Sequence, residues 1–464
     1  METVIKITSP YDQRLIKELA PISLSDLENS IETAQNLFTD QAQWIPAYKR
    51  MDILERAASI MAERMEELTL LALSEGGKPY KDSKAEVQRA ITGVKMAAAH
   101  IPEIKGEQVP MALTEASLHR MAFTYREPIG VVAAISAFNH PLNLAVHQIV
   151  PAIAAGCPVI FKPSLTTPLS SLALAKILEE AGLPSGWLQI VLCTNKIAEA
   201  MVTDRRINFF SFIGSANVGW HLRSKLSAGT RCALEHGGAA PVIVESDADY
   251  DEMIPDLVKG SFYHAGQVCV SVQKIYVNRD ICDLFMEKFL AETNKLTVGN
   301  PWDKNTDVGP LISAKEVDRV EEWVNEALVE GATLITGGKR ISKTLFQPTV
   351  LLDPSERSKV SSKEIFGPVV CIYPFTDRNM AIKKANALEF HFQAAVFTKN
   401  MDVALDTVKK LNATAVMVND HTAFRVDWMP FGGRDSSGMG MGGISYTMDE
   451  MTRTKMTVFK SNYL

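Results

Sequence analysis

The chain has 464 residues, of which 46% are hydrophobic and 22% are charged, and its formal net charge is −6. This length exceeds what one hydrophobic core normally organises, so two or three domains of ordinary globular composition are predicted. The net negative charge gives no indication of a nucleic-acid-binding surface. No apolar run approaches the roughly 20 residues of a membrane-spanning helix.

Hydrophobic periodicity divides the chain into successive blocks. Residues 24–100 show helical periodicity, with serine and aspartate starting the runs and Gly76-Gly77 ending one. Residues 107–127 alternate polar and apolar side chains, which predicts a hairpin with one solvated face. From residue 129, and again from about 241, short apolar strands alternate with helices. Such alternation predicts two doubly wound α/β domains, and in the first of them the ligand site is expected at the carboxyl ends of the strands.

Cysteine usage and the N-terminal segment indicate the compartment. The six cysteines are scattered with no CxxC pair, which excludes a local zinc or redox motif and gives no disulfide framework. The segment METVIKITSPYDQ lacks the apolar run of a secretory signal. We therefore expect a protein of the reducing cytoplasm, without membrane or nucleic-acid partners.

Two segments combine residue types that can attack and hydrolyse a carbonyl group. In SFYHAGQVCVSVQ, residues 261–273, Cys269 follows a lead-in that is poor in charge. In LEHGG, Glu235 is followed by Gly237 and Gly238, where the backbone can turn tightly. A thiolate nucleophile and a mobile carboxylate base are what covalent attack and hydrolysis require. A buried cysteine can also be an inert small hydrophobe, so the pair alone leaves both interpretations open.

Seven segments in chain order resemble motifs of a known family. They are EPIGVVAAISAFNHPLN (127–143), VIFKPS (159–164), FFSFIGSANVG (209–219), LEHGG (234–238), GQVC (266–269), EIFGP (364–368) and MPFGG (429–433). Together they resemble the NAD(P)-dependent aldehyde dehydrogenase superfamily, nearest in pattern to its lactaldehyde, glyceraldehyde-phosphate and semialdehyde branches. The resemblance implies a small-molecule aldehyde as substrate and NAD or NADP as cofactor.

The resemblance also implies a domain plan. Residues 1–106 and 128–236 would form a Rossmann-like cofactor-binding domain, and residues 237–420 a catalytic domain. The hairpin 107–127 and the tail 450–464 would form a small projecting sheet. Because this sheet joins subunits in the superfamily, we expect a homodimer or homotetramer, with an edge hairpin of a monomer as the alternative.

The cofactor site is expected where two strands of the first block end. Gly214-Ser215 and Gly219 lie at the turn from strand INFFSF into a helix, where a helix start favours phosphate. The resemblance assigns the adenine ribose to the end of strand VIF and the nicotinamide ribose to the EIFGP segment. The implied cofactor-binding residues are Lys162, Ser164, Gly214, Ser215, Gly219, Glu364 and Phe366.

Position 165 departs from a common family pattern. Many NAD-preferring members have a glutamate three residues after the lysine, whereas this chain has Leu165. Losing that carboxylate removes a hydrogen bond to ribose and a repulsion toward a 2′-phosphate. Ser164 and Thr166 could donate to a phosphate, so both NAD and NADP stay open.

The resemblance implies a catalytic trio of Cys269, Asn139 and Glu235. Cys269 would attack the aldehyde, the Asn139 amide and the Cys269 N–H would stabilise the oxyanion, and Glu235 would activate water for thioester hydrolysis. Asn139 could instead be a turn residue before His140-Pro141. His236 departs from the leucine usual in this motif, and could either perturb the pKa of Glu235 or simply pack.

Substrate contacts are less sharply indicated. The candidates are His140, His147, Gln273, His421, Phe424 and Arg425. Arg425 could pair a carboxylate, phosphate or sulfonate on a short aldehyde, or form a rim ion pair with Asp420 or Asp427. Val268, which precedes the cysteine, cannot bind an anion. A small polar or anionic aldehyde is therefore expected.

Three other functions compete with a hydrolytic dehydrogenase. A CoA-acylating semialdehyde dehydrogenase would generally lack Glu235. A catalytically silent structural homologue would have no chemical need for the catalytic trio. A thiol hydrolase without cofactor would leave Lys162, Gly214 and Glu364 unexplained.

Overall fold

The computed structural model describes residues 4–464, so the first three residues of the predicted N-terminal segment lie outside the described residues. The first block is a strand pair followed by four helices: β1 (Ile5–Thr8), β2 (Leu15–Leu19), α1 (Leu24–Thr39), α2 (Ala47–Glu63), α3 (Met65–Gly76) and α4 (Tyr80–His100). Ser23 caps α1 in a capping box with Asp26, and left-handed Gly77 ends α3, as the sequence predicts. In contrast, α2 and α4 follow Pro46 and Pro79, and neither helix has a side-chain cap at its start.

The predicted hairpin is present. Its strands are β3 (Gln108–Val109) and β4 (Arg120–Pro128), and they pair antiparallel. It projects ahead of the first parallel sheet.

The first parallel sheet starts at residue 131. Its strands are β5 (Val131–Ile135), β6 (Val159–Lys162), β7 (Leu188–Ile190), β8 (Ile207–Ile213) and β9 (Arg231–Glu235), and its helices are α5 (Pro141–Ala155), α6 (Leu169–Glu180), α7 (Asn195–Thr203) and α8 (Ala216–Arg223). The strands lie side by side in the order β9-β8-β5-β6-β7. From β5 the chain first adds β6 and β7 on one side and then β8 and β9 on the other, as in a doubly wound sheet. Helices α2, α4, α5 and α6 pack on one face, and α1, α7 and α8 on the other.

The second sheet starts at residue 241. Its elements are β10 (Pro241–Val244), α9 (Tyr250–Phe262), β11 (Lys274–Asn278), α10 (Cys282–Thr293), α11 (Ala314–Val329), β12 (Thr333–Thr336), β13 (Thr349–Leu352), α12 (Lys359–Ser362), β14 (Val369–Phe375), α13 (Arg378–Ala385), β15 (Phe390–His391), β16 (Gln393–Phe397), α14 (Met401–Lys410) and β17 (Ala415–Val418). Seven strands form one sheet in the order β12-β13-β14-β11-β10-β16-β17, and only β12 runs antiparallel to its neighbour. The predicted fold class, two doubly wound α/β sheets, is confirmed.

The C-terminal segment returns to the first sheet. It contains β18 (Arg434–Asp435), β19 (Gly438–Met439), α15 (Ile444–Glu450) and β20 (Thr452–Lys460). Strand β19 adds to β9, α15 packs against α5, and β20 pairs with β4 over nine residues. This return begins after residue 420, where the predicted catalytic domain ends. The predicted domain bounds stay a prediction. Within residues 4–464, no helix is both long enough and apolar enough to span a membrane.

The two sheets present opposite ends to the same site. The first sheet contributes the segments that follow β5, β6, β8 and β9, as predicted. The second sheet contributes the segments that precede β10, β11 and β14. The cavity therefore lies at the carboxyl ends of the first sheet, where the ligand site was expected, and at the opposite ends of the strands of the second sheet.

Candidate active site

A cavity of about 720 Å³ lies where these segments meet. It brings together eleven of the predicted site residues from distant parts of the chain. They are Asn139, His140, His147, Ser164, Gly214, Ser215, Glu235, Cys269, Glu364, Phe366 and Arg425.

The loop that leads into Cys269 has an unusual backbone. His264, Ala265 and Gly266 all have positive φ, of 49°, 54° and 70°. For the two non-glycine residues this conformation costs about 1–3 kcal/mol each and persists only where the surroundings impose it. Gln267 is one such constraint, because its Nε2 donates to Pro310 O at 3.2 Å and its Oε1 accepts from Ile312 N at 2.9 Å.

The thiol of Cys269 is protonated at neutral pH. Burial and the neighbouring carboxylates of Glu364 and Glu235 raise the pKa of Cys269 to about 12, and Arg425 opposes them. The thiolate is the reactive form, so the proton must leave as the sulfur attacks.

Asn139 lies in the loop between β5 and α5, four residues after the strand ends, and its position is held by a contact from outside that loop. Its Nδ2 donates to Gln267 O at 2.9 Å, which leaves the second N–H of the amide for another acceptor. The start of α5 just beyond it is capped by Glu86, which accepts from Leu142 N and Asn143 N at 2.9 and 3.0 Å. Glu86 is itself buried and paired with Lys78. Asn139 is therefore more than a turn residue.

Glu235 ends β9 with its carboxylate at the cavity. Burial raises the pKa of Glu235 to about 7, and the charge of Arg425 opposes the rise. A Cβ at Gly442 would collide with Glu235 Oε1, so that glycine leaves room for the carboxylate. A carboxyl group that titrates near neutral pH is suited to general base catalysis.

Glu364 lies on the cofactor side of the cavity. Its Oε1 is buried and has no hydrogen-bond partner among residues 4–464, and we call this atom the open carboxylate oxygen. Burial raises the pKa of Glu364 to about 8, with Arg319 opposing. Gly237, where the sequence suggested a tight turn, does not have a positive φ. Instead, a Cβ there would collide with Glu364 Oε1.

Gln273 holds the Glu364 loop and does not line the cavity. Its Nε2 donates to Lys363 O at 2.6 Å, and its Oε1 accepts from Ile365 N at 2.8 Å. These two contacts bracket Glu364. Beyond it, Phe366 adopts positive φ, and its ring packs edge-on against Phe138 at 5.8 Å. Sequence analysis placed Gln273 among the substrate contacts, and the structure corrects this.

The remaining cofactor-side residues are compatible with NAD or NADP. Gly214 and Ser215 follow β8 at the start of α8, and Ser164 follows β6. Ser164 Oγ lies 2.7 Å from Thr166 Oγ1. A helix start suits a pyrophosphate, the open carboxylate oxygen suits ribose hydroxyls, and the hydroxyl pair suits a ribose or a 2′-phosphate.

Two predicted cofactor residues lie outside this cavity. Lys162 is buried at the end of β6 and is not among the lining residues. Gly219 lies within α8, where a Cβ would collide with the His236 ring. His236 donates from Nδ1 to Gly214 O at 2.9 Å and packs edge-on against Phe212 and Trp220. Gly219 thus makes room for His236, which also lines the cavity.

Two predicted substrate residues are also displaced. His421 is buried against Gly260, and its Nδ1 accepts from Ala423 N at 3.1 Å. Phe424 is 41% exposed and lies outside the cavity. Their loop is fixed to the cysteine loop by Thr422, whose Oγ1 donates to Val270 O at 2.7 Å. These neighbours turn His421 and Phe424 away and leave Arg425 facing inward.

The substrate end of the cavity is organised by Asp427, which sequence analysis considered only as a rim partner of Arg425. Its carboxylate instead accepts from Arg89 Nη2 at 2.8 Å and from His147 Nε2 at 2.7 Å. Although burial opposes it, the hydrogen bond from His147 and the charge of Arg89 hold the pKa of Asp427 well below its usual range. The predicted Arg425–Asp427 rim pair is therefore not formed.

Arg425 lines the cavity and stacks on an aromatic ring. Its guanidinium lies 3.4 Å above the Phe431 ring, and its Nη2 lies 3.5 Å from His147 Nδ1. Its Nη1 is buried without a hydrogen-bond partner in the part of the chain that the structure describes, and we call it the open donor. Burial lowers the pKa of Arg425 to about 10, so it stays cationic at neutral pH.

Arg89 is a lining residue that sequence analysis missed. It lies on α4, and its partner Asp427 is 338 residues away. No local motif marks either residue, and the helical periodicity of α4 only indicates a partly solvated face.

Comparison with known proteins agrees with this site. The profile of the aldehyde dehydrogenase family matches residues 1–457. A protein named 3-sulfolactaldehyde dehydrogenase from Priestia megaterium is 39% identical, covering 98% of this chain and 94% of that protein. Lactaldehyde dehydrogenase from Methanocaldococcus jannaschii is 38% identical, covering 97% of this chain and 96% of that protein.

Solved structures are similar over nearly the full length. Glyceraldehyde-3-phosphate dehydrogenase GapN from Methanocaldococcus jannaschii, complexed with NADP, is 37% identical with a TM-score of 0.94, covering 99% of this chain and 100% of that chain. Aldehyde dehydrogenase 21 from Physcomitrella patens, in complex with the reaction product succinate, is 34% identical with a TM-score of 0.95, covering 99% and 95%.

The chain belongs to the aldehyde dehydrogenase family. The predicted oxidation of an aldehyde with NAD or NADP is confirmed at the level of this family.

Proposed function

We propose that this enzyme oxidises a short aldehyde bearing an anionic group to its carboxylate, and releases the product by hydrolysis. The supporting observation is the open donor, Arg425 Nη1, which belongs to a residue lining the same cavity as Cys269 and Glu235. A buried cation with a free N–H is poorly solvated until an anion binds it. The names of relatives support an anionic substrate, since sulfolactaldehyde bears a sulfonate and succinate a carboxylate.

The covalent step would begin at Cys269. As its proton leaves to solvent, Sγ attacks the carbonyl carbon and forms a thiohemiacetal. The second N–H of the Asn139 amide and the backbone N–H of Cys269 would stabilise the oxyanion. Arg425 would orient the substrate by binding its anionic end, which reduces the cost of aligning the carbonyl with the sulfur.

Oxidation and hydrolysis would follow at the same carbon. The bound nicotinamide supplies the hydride acceptor, and Glu364 would hold its ribose through the open carboxylate oxygen. Glu235 would then take a proton from water, whose oxygen attacks the thioester and releases Cys269 as the leaving group. A base in this position favours water over CoA as the acceptor and argues against a catalytically silent homologue.

We also infer a homodimer or homotetramer joined through the sheet β3-β4-β20. Its exposed hydrophobic side chains are Met121, Phe123, Met456, Val458 and Phe459. A solvated row of this kind favours burial against another subunit. Phe459→Asp should lower the oligomeric mass in light scattering. All six cysteines are free thiols, which suits a reducing cytoplasm.

The substrate proposal is tested with two aldehydes of similar length. Wild type should oxidise 4-oxobutanoate with a higher kcat/KM than butanal. Arg425→Met should lower kcat/KM for 4-oxobutanoate by about 100- to 1,000-fold, the range expected for losing a buried charge-assisted contact, and for butanal by less than tenfold.

The control is Arg425→Lys, which keeps the charge and should retain part of the preference. The charge of Arg425 opposes the rise in the pKa of Glu235, so removing that charge should raise this pKa further. The assays are therefore run at pH 8.5, to keep Glu235 ionised in every variant. Equal losses for both aldehydes, or a wild-type preference for butanal, would refute the anion-binding role.

A further inference from the structure

Asp427 determines how the Asn143 amide at the substrate end is oriented. Asn143 is buried on α5, and its Nδ2 lies 3.4 Å from Asp427 Oδ1. An ionised carboxylate can only accept hydrogen bonds, so the amide must present its nitrogen to Asp427 and its oxygen elsewhere. Asn143 Oδ1 is buried and finds no donor among the 461 described residues, and we call it the open acceptor.

The open acceptor and the open donor belong to one cluster. Asp427 Oδ1 contacts both Asn143 and His147, and the far nitrogen of His147 faces Arg425. Asn143 and Arg425 both line the cavity beside Cys269. In contrast, His140 Nε2 and Tyr263 Oη, on the same wall, lie 3.3 Å from each other and are partners.

An anionic group satisfies only one of the two open atoms. Carboxylate, sulfonate and doubly ionised phosphate oxygens accept hydrogen bonds, so they match Arg425 Nη1 and leave Asn143 Oδ1 without a donor. A site built to bind a substrate donor discriminates strongly against an analogue that lacks it, because its own buried group is then left without a partner. A substrate that brings a donor as well as an anion would satisfy both open atoms.

We propose that Asn143 is a specificity-determining residue that accepts a hydrogen bond from a hydroxyl group on the chain joining the aldehyde to the anion. The substrate class is then the anionic hydroxyaldehydes, an inference that rests on the proposed function. A hydroxyl fits better than an ammonium group, which would face the guanidinium groups of Arg425 and Arg89.

The test uses substrates that differ only at this group. The sulfonate pair is 2-hydroxy-3-oxopropane-1-sulfonate and 3-oxopropane-1-sulfonate. The carboxylate set is 2-hydroxy-, 2-amino- and unsubstituted 4-oxobutanoate. Wild type should show a kcat/KM about 10- to 100-fold higher for the hydroxylated member of each set than for the unsubstituted one.

The variant Asn143→Leu has a similar volume and no acceptor. The ratio of hydroxylated to unsubstituted kcat/KM should fall by about 10- to 100-fold, which also removes any intrinsic difference in aldehyde reactivity. The matched control is Leu144→Ala, the neighbouring lining residue, which should lower both members by similar factors and keep the ratio. If Asn143→Leu does not fold, Asn143→Ala provides the same comparison without added bulk.

The outcomes distinguish a failure of the Asn143 proposal from a failure of the proposed oxidation of anionic aldehydes. A wild-type ratio near one, or a ratio unchanged in both Asn143 variants, overturns the role of Asn143 while anionic aldehydes remain substrates. An amino compound oxidised as well as the hydroxy compound overturns the assignment of a hydroxyl. A failure of the proposed function appears differently, as no preference for 4-oxobutanoate over butanal.

Discussion

The two ends of the cavity hold their polar groups in opposite ways. At the substrate end, Arg89, Asp427 and His147 neutralise or bind one another, and the open donor and the open acceptor remain. At the cofactor end, Glu364 has an open carboxylate oxygen, and the Gln273 contacts to backbone groups hold its loop in place.

The difference indicates what each end must recognise. Paired charges are restrained, so the substrate end presents a fixed pattern of one donor and one acceptor to a small, variable molecule. The cofactor end meets a large ligand with hydroxyl groups of its own, so a carboxylate without a protein partner gains its hydrogen bonds on binding. Cys269 and Glu235 lie between the two ends. If the ends function separately, each should keep binding its ligand when the nucleophile is removed.

Cys269→Ala removes the nucleophile and should leave both ends intact. Formation of NADH or NADPH should fall by at least about 10,000-fold, because the covalent step has no substitute. Cofactor binding, followed by fluorescence, should change little. The matched control Cys282→Ala lies on α10, outside the cavity, and should keep its activity. More than a few per cent residual activity in Cys269→Ala would contradict the assignment.

Glu235→Gln separates acylation from hydrolysis. Stopped-flow traces should keep a burst of reduced cofactor, while steady turnover falls about 100- to 1,000-fold, since hydrolysis needs the base. In wild type, steady turnover should rise with pH through about 7, where Glu235 loses its proton. That rise should be absent from the variant. An unchanged steady rate, or product only with added CoA, would remove Glu235 from the mechanism.

Leu165→Glu adds a carboxylate to the cofactor end. Wild type should accept NADP measurably, because position 165 does not repel a 2′-phosphate. The glutamate should shift the preference toward NAD by about tenfold or more, since close charges in a partly solvated site repel by on the order of a few kcal/mol. Leu165→Gln controls for shape. The idea fails if wild type shows no NADP activity or if both variants shift the preference equally.

The same Glu235→Gln variant should change stability in a pH-dependent way. The folded-state pKa of about 7 exceeds the ordinary 4.5, so between these values the native state binds a proton that the unfolded state releases. Wild type therefore loses stability as pH rises through this window, and the neutral variant does not.

At pH 8 the variant should be more stable in urea unfolding by about 1 kcal/mol, after allowance for partial exposure of the side chain. At pH 4.5 the difference should nearly vanish. The exposed Glu18→Gln serves as a control without such a trend. If Glu235→Gln were equally destabilised at both pH values, burial would not disfavour the ionised form of Glu235.

Much of the fold and part of the site could be predicted from the sequence. The apolar runs predicted β5, β6, β8, β10 and β11, because buried parallel strands need hydrophobic side chains on both faces. Helix α7 and strand β9 were not predicted, since NKIAEAMVT and RCALE show weaker local patterns. Residues directly after a predicted strand, such as Asn139 and Gly214, were placed at the cavity for the same local reason.

Four predicted site residues lie outside the cavity for reasons beyond local sequence. Lys162, Gly219, His421 and Phe424 lie in or beside segments that do reach the site, yet they are absent from the cavity wall. Which residues reach the wall depends on packing neighbours, such as His236 beside Gly219 and Gly260 beside His421. Those neighbours are distant in sequence, so no motif specifies them.

The sequence by itself determined the class of chemistry: a thiol after a short loop, a carboxylate just before two glycines, and an amide soon after a predicted strand. These depend on covalent neighbours and on periodicity, which the order of residues specifies directly. Only the tertiary structure decided that Asp427 binds Arg89 and His147, and thereby left Arg425 and Asn143 with open atoms. Whether a polar group is satisfied depends on every neighbour in space, and the fold selects those neighbours across hundreds of residues.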